Sequence, residues 1–188
     1  MDLKEFVGKK HITLTSRGNK AIKLAFEYAK SIGHTVLCIP DQGGWITYRQ
    51  YGNKLKFEVV EIATSDGAMD YSLVPDSCCL IVNSLPAYAV DQSSIGLSEL
   101  HERGIFVILD VAGVIGMDND CDIMVGSFGK HKPINAFYGG FIATDLDVEF
   151  DEPLGDHGTI FELVEGSDGK RYRPPKSMKS DSSDLEFD

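Results

Sequence analysis

Between His11 and Thr144 short apolar runs alternate with longer amphipathic stretches, and this alternation narrows most what the chain can fold into. Runs too short for helices and rich in β-branched residues read as buried strands. The longer stretches have the length and apolar spacing of helices that cover a sheet. The strand candidates are Thr35–Pro40, Phe57–Ile62, Cys78–Val82, Ile105–Leu109, Cys121–Val125 and Gly139–Thr144. Several are apolar at successive positions, as strands buried on both faces of a parallel sheet are. A helix is expected over Asn19–Ser31, where Ile22, Phe26 and Ala29 share a face, and another over Gln92–Arg103, with Ile95, Leu97 and Leu100. Gly33 and Gly104 then end them. The expected fold class is α/β, a mostly parallel sheet with helices on both faces.

A length of 188 residues suits one domain rather than two. The α/β pattern occupies residues 1–150. Residues 151–188 are rich in Asp, Glu, Ser, Pro and Lys, with little periodic apolar content beyond Ile160–Val164. The last twenty or so of them are expected to be disordered. A net charge of −11 repels polyphosphate, so generic nucleic-acid binding is disfavoured. No apolar run approaches the roughly 20 residues of a membrane helix. The opening MDLKEFVGKKH lacks the apolar core of a secretion signal, so a cytoplasmic protein without a membrane partner is expected.

Cys38, Cys78, Cys79 and Cys121 show no C-x-x-C spacing and read as small core hydrophobes. The five histidines form no ligand pair, so no metal is expected. The acids around Asp118–Asp122 alternate as in a calcium loop, but Ile123 stands where that loop needs Gly, so a solvated turn is expected.

Three segments carry chemistry, each where a strand hands over to a helix or loop, the place where open α/β sheets bind ligands. The first, Thr15-Ser16-Arg17-Gly18-Asn19-Lys20, opens the first helix with a glycine and small polar residues beside helix N-terminal amides. That suits a phosphate; an ordinary capped helix has the same residues. G-x-x-x-x-G-K-[ST] and G-x-G-x-x-G are both absent.

The second segment is an apolar strand that ends in Asp110, followed by Val111-Ala112-Gly113. A carboxylate there meets a cation, a metal or a protonated ligand nitrogen, or else caps the turn. In the third, the strand candidate Cys121–Val125 runs through Gly126 into Ser127-Phe128-Gly129-Lys130-His131-Lys132, and Gly139-Gly140 leads into the next strand. A lysine beside low-dielectric walls can lose its proton and form a Schiff base with an aldehyde, and both Lys130 and Lys132 are candidates.

The order of these segments resembles the large domain of fold-type-I pyridoxal-phosphate (PLP) enzymes, most closely the DegT/StrS-type sugar aminotransferases. In that branch a Ser-Phe dipeptide, a lysine five residues after the Ser and a Gly-Gly seven residues after the lysine form one motif, a spacing met by Ser127, Phe128, Lys132, Gly139 and Gly140. The resemblance implies that Lys132 forms the internal aldimine, with Lys130 as runner-up, and that Ser127 helps hold the cofactor phosphate. Asp110-Val111-Ala112 is similar to the branch's Asp-x-Ala, where the Asp pairs with the pyridinium nitrogen. Gly18 and Asn19 match its Gly-Thr phosphate turn with Asn in place of Thr. Trp45 stands near the place of the aromatic that stacks on the ring, with a plain core or interface role as its alternative. Asn83 stands where it would approach the cofactor's phenolic oxygen.

The resemblance covers about residues 11–145 and leaves out the small C-terminal domain of full-length relatives. Val114 replaces a Gln near the ring, and Phe137-Tyr138 replaces Gly-Glu, both departures from ordinary sugar transamination. Arg17, Arg49 and Arg103 are present, and nothing in the sequence selects one as a carboxylate ligand. The implied function is a minimal PLP enzyme, aminotransferase-like, acting on a small amino substrate, as a homodimer or with a partner chain completing the site. Two alternatives are a catalytically inactive relative serving as a regulatory or partner subunit, and an unrelated doubly wound domain binding another phosphate compound.

Overall fold

In a computed structural model of the chain, residues 3–65, 67–83, 97–113, 120–130, 132–136 and 138–150 are described. Seven strands form one sheet: β1 (His11–Thr15), β2 (Val36–Pro40), β3 (Glu58–Ile62), β6 (Cys79–Asn83), β7 (Phe106–Asp110), β8 (Ile123–Ser127) and β9 (Gly140–Thr144). Between β3 and β6 lie a two-stranded ribbon, β4 (Thr64–Ser65) with β5 (Ala68–Met69), and a 3-10 turn at Tyr71–Leu73. The helices are α1 (Leu3–Val7), α2 (Gly18–Ser31), α3 (Ile46–Lys54) and α4 (Leu97–Glu102).

The sheet order is β1-β9-β8-β7-β6-β2-β3. The run from β3 to β8 is parallel throughout, and β9 lies antiparallel to both β8 and β1. Strand β2 is followed outward by β3, whereas β6 returns to its other side and leads to β7 and β8. The order therefore reverses between β2 and β6, and in sheets of this kind the crevice beyond the strand ends at such a reversal is where ligands bind.

Alternation along the strands divides the core in two. Leu37, Cys79, Ile81, Phe106, Ile108, Ile123 and Val125 face α2 and α3, where Ala21, Ile22, Ala25, Phe26 and Ala29 form the apolar stripe of α2 and Tyr48 and Tyr51 that of α3. Leu80, Val82, Val107, Leu109 and Met124 face the other side with Val7, Tyr71 and Leu100. Helices thus cover both faces, and all four cysteines are free and buried. Gly33, at φ +107°, takes the chain out of α2 through the left-handed region, and Gly104 at +69° does the same after α4.

Strand limits differ from the sequence reading by up to two residues. Strand β8 starts at Ile123 rather than Cys121; at Asp122 the side chain takes one ladder position, Oδ2 accepting from the Val107 N–H at 2.7 Å, while the Asp122 N–H donates to Val107 O at 3.0 Å. Besides α1, the β4–β5 ribbon and the 3-10 turn, two longer elements lay outside the sequence reading. Strand β1 is a half-buried edge with alternating polar residues, and α3 is the polar string ITYRQYGNK. Gly52 lets α3 lie close on the sheet, since a Cβ there would sit 2.7 Å from Val59 Cγ2. The start of the second predicted helix (92–96), Val114, Phe137, the Asp118-Asn119 part of the acidic turn and the segment 151–188 lie outside the described residues. Among the described residues no helix is long and apolar enough to cross a membrane, and no His/Cys/Asp/Glu group could hold a metal ion.

Candidate functional site

Register brings Asn83 and Asp110 side by side at the carboxyl ends of β6 and β7, both projecting toward α2 and α3. Asp110 is 6% exposed, so its charge depends on what it meets inside. Its Oδ2 accepts a hydrogen bond from Tyr48 Oη at 2.6 Å and its Oδ1 one from the Ala112 N–H at 2.9 Å. Burial pushes the Asp110 carboxyl above the ordinary carboxylate value, while the Tyr48 and Ala112 donors and the Lys132 charge pull it back. Tyr48 is itself buried, and burial together with the Asp110 charge raises its phenol far above the usual range, so the phenol stays protonated and donates.

Beyond β8, Ser127 Oγ accepts from the Gly129 N–H at 3.3 Å, and the Lys132 N–H donates to Gly129 O at 2.9 Å, closing a turn. Lys132 Nζ lies 5.5 Å from the centre of the Trp45 ring, within cation–π reach, and Trp45 Nε1 donates to Asn19 Oδ1 at 2.9 Å. Lys130 is exposed and does not line the cavity described below; its carbonyl accepts from Asn135 Nδ2 at 2.8 Å.

The start of α2 is pressed onto the end of β8. A Cβ on Gly18 would come within 2.7 Å of Ser127 Cβ, and one on Gly140 within 2.5 Å of Gly126 O and 2.7 Å of Gly18 N. The α2 ladder begins with the Lys20 N–H donating to Arg17 O at 3.0 Å, so the Gly18 and Asn19 amides precede it. The dipole of a 14-residue helix adds positive potential at this end.

These pieces surround one cavity of about 520 Å³, a volume suited to a small ligand. Of the residues singled out from sequence, Gly18, Asn19, Trp45, Asn83, Asp110, Ala112, Ser127 and Lys132 line it, whereas Phe128, Lys130 and Gly140 do not. Asn83 Nδ2 donates to Gly43 O at 2.8 Å, fixing the β2–α3 loop over the reversal point. Tyr48 also lines the cavity and was missed, because α3 was not read as a helix and its inward face was never laid out. Arg17, unassigned in the sequence reading, is part of the wall too.

No family model and no curated protein matches the sequence. Solved structures do match. An aminotransferase from Psychrobacter cryohalolentis superposes with a TM-score of 0.65 at 18% identity, over 77% of this chain and 40% of that one. NtdA from Bacillus subtilis, solved with bound cofactor PMP, gives 0.62 at 17%, over 77% and 35%. PseC from Helicobacter pylori, an aminotransferase involved in the biosynthesis of pseudoaminic acid, gives 0.64 at 16%, over 77% and 43%. This chain thus spans less than half the length of each. At these identities the likeness is one of architecture: the chain has the mostly parallel α/β fold of the fold-type-I aminotransferases.

Proposed function

We propose that the cavity binds pyridoxal 5'-phosphate and that the protein is an aminotransferase-like enzyme acting on a small amino substrate. The observation that carries this reading is convergence: an amine (Lys132), a buried carboxylate (Asp110) and the start of a helix (Gly18, Asn19), distant in sequence, line one cavity. The donor set fits the group. Gly18 packs against Ser127 with no room for a Cβ, which brings the start of α2 beside the Ser127 hydroxyl at the cavity, and Asp110 is held by two donors in a site that otherwise opposes its charge.

In this reading the Gly18 and Asn19 amides and the Ser127 hydroxyl hold the phosphate, Asp110 faces the ring nitrogen, and Trp45 covers the ring. When bound, PLP supplies an aldehyde that condenses with amines and a ring that draws electrons from the carbon bearing the substrate amine. Lys132 Nζ would be the amine facing that aldehyde, and it would hold or move a proton at the carbon bearing the substrate amine. Asp110, accepting from Tyr48 and Ala112, would favour a proton on the ring nitrogen. Trp45 and Ile46, 52% and 62% exposed beside the cavity, are proposed to be covered by a second copy or a partner chain.

Mixing the purified chain with PLP tests the reading. A yellow species that borohydride discharges, leaving the label on Lys132, is the expected result; Lys132→Ala abolishes it and Lys130→Ala spares it. A colourless protein, or label on Lys130, overturns it. A panel of amino donors then separates an enzyme, whose cofactor spectrum changes, from a non-catalytic binder, whose spectrum does not.

A further inference from the structure

The cavity wall contains a guanidinium that the proposed cofactor contacts do not use. The described residues hold three arginines, and two of them are engaged elsewhere. Arg49 pairs with Glu61 on the outer face of α3. Arg103 pairs with Asp76 at 2.7 Å and donates to the carbonyls of Tyr71 and Val74. Arg17 alone lines the cavity, and its Nε is buried without a hydrogen-bond partner among the described residues.

That nitrogen is covered by protein, so what Arg17 offers a ligand is the remainder of its guanidinium, a cationic group in the cavity wall that pairs with no acid among the described residues and therefore favours an oxyanion. The protein offers little at this point. Asp110 is the acid of the described wall, and its two oxygens already accept from Tyr48 and Ala112. The base of the Arg17 side chain is fixed, because its extended backbone (φ −157°, ψ 160°) bridges to Gly139 immediately before the first turn of α2. The lining charges among described residues are then Arg17 and Lys132 against Asp110, a positive excess inside a chain whose net charge is −11.

We infer that Arg17 is an oxyanion-binding residue of this cavity, selecting a ligand that bears a carboxylate or a phosphate. The guanidinium presents donors in a planar fork suited to two oxygens of one such group. The assignment to an amino substrate rests on the function proposed above. There the oxyanion is either the substrate's own carboxylate or the cofactor's phosphate, and two anion probes distinguish the sources.

Trp45 is the only tryptophan of the chain and lines the same cavity, so its fluorescence reports occupancy. The full chain, prepared without added PLP and held at constant ionic strength with chloride, is titrated separately with inorganic phosphate and with succinate. A saturable change is expected for at least one anion, with an affinity about tenfold or more weaker in Arg17→Gln and partly retained in Arg17→Lys. Weakening confined to phosphate names the phosphate source, and weakening confined to succinate names the carboxylate. Absence of a saturable response to either anion in the unsubstituted chain, or equal affinities in all three proteins, overturns the inference. Should Arg17→Gln fail to fold, the comparison with Arg17→Lys decides by the same criterion. PLP labelling of Lys132 is scored in parallel. Labelling with anion affinities indifferent to Arg17 sinks this inference alone, and Arg17-dependent anion binding without labelling sinks the cofactor reading alone.

Discussion

Asp110 is held where burial opposes its charge, and the hydrogen bonds around it only partly offset that opposition. Its folded-state value is raised above the ordinary 3.8, so between 3.8 and the raised value the native state keeps a proton that the unfolded chain has released. The Asp110 contribution to stability therefore falls as pH rises through that window, and the cost is complete above it. Asp110→Asn removes the ionisation while keeping the shape: the amide oxygen accepts from Ala112 and the amide nitrogen donates to the Tyr48 hydroxyl. In urea unfolding of the cofactor-free protein, this variant is expected to be at least as stable as the unsubstituted chain at pH 7 and to lose its advantage at low pH. An advantage that does not change with pH contradicts the account. Tyr48→Phe does the reverse, withdrawing the 2.6 Å donor from a buried carboxylate. It is expected to cost about 1–3 kcal/mol at pH 7 and less at a pH below 3.8, where the carboxyl holds a proton. Equal losses at both values would place the Tyr48 contribution in packing alone.

Where α2, β8 and β9 cross, glycines set the spacing on which the cavity depends. A Cβ on Gly126 would lie 2.2 Å from the Phe141 ring, and one on Gly140 would meet backbone atoms of both Gly126 and Gly18. Backbone cannot swing aside as a side chain can, so Gly140→Ala is expected to cost about 1–3 kcal/mol and to loosen the start of α2. Gly129 is the control on the same wall: its nearest neighbour, Ser127 Oγ, would be 3.6 Å from a Cβ, an ordinary contact, and Gly129→Ala should leave the urea midpoint nearly unchanged. Similar losses for both would mean that these crossings do not govern stability. The elements built from uninterrupted apolar runs, β2, β6, β7 and β9, were legible in the sequence to within a residue, because burial on both faces leaves little room for polar residues. Helix α3 was not. Its stripe consists of Thr47, Tyr48, Tyr51 and Gly52, and only the docked sheet shows that two tyrosines and a glycine are an inward face. With α3 went Tyr48, the partner that gives Asp110 its electrostatic setting.

At the scale of the whole molecule, the cavity exists only in the folded state, since its walls come from the start of α2, the ends of β6 and β7 and the turn after β8. Many of the residues that gather there were named by the family resemblance, Tyr48 and Arg17 excepted. The orphaned nitrogen of Arg17 was not legible in the sequence, because pairing in three dimensions, not order along the chain, engages Arg49 and Arg103 and leaves Arg17 at the cavity. Because the unfolded chain has no such assembly, any ligand of the cavity is linked to global unfolding. At a free concentration one hundred times its dissociation constant, a ligand adds about 2.7 kcal/mol. For a chain of this size each kcal/mol moves the melting temperature by roughly 2–4 °C, so PLP at that concentration should raise it by about 5–10 °C. In the proposed function Lys132→Ala would retain the phosphate and ring contacts but form no covalent attachment, so the same PLP concentration should produce a smaller rise. Pyridoxal, which lacks the phosphate, should produce a smaller rise still in that variant. Differential scanning fluorimetry across the two ligands and two proteins reads all four values. Equal shifts for PLP and pyridoxal would mean that neither the start of α2 nor Arg17 holds the cofactor phosphate, and a flat response to both would remove the cavity as their binding site.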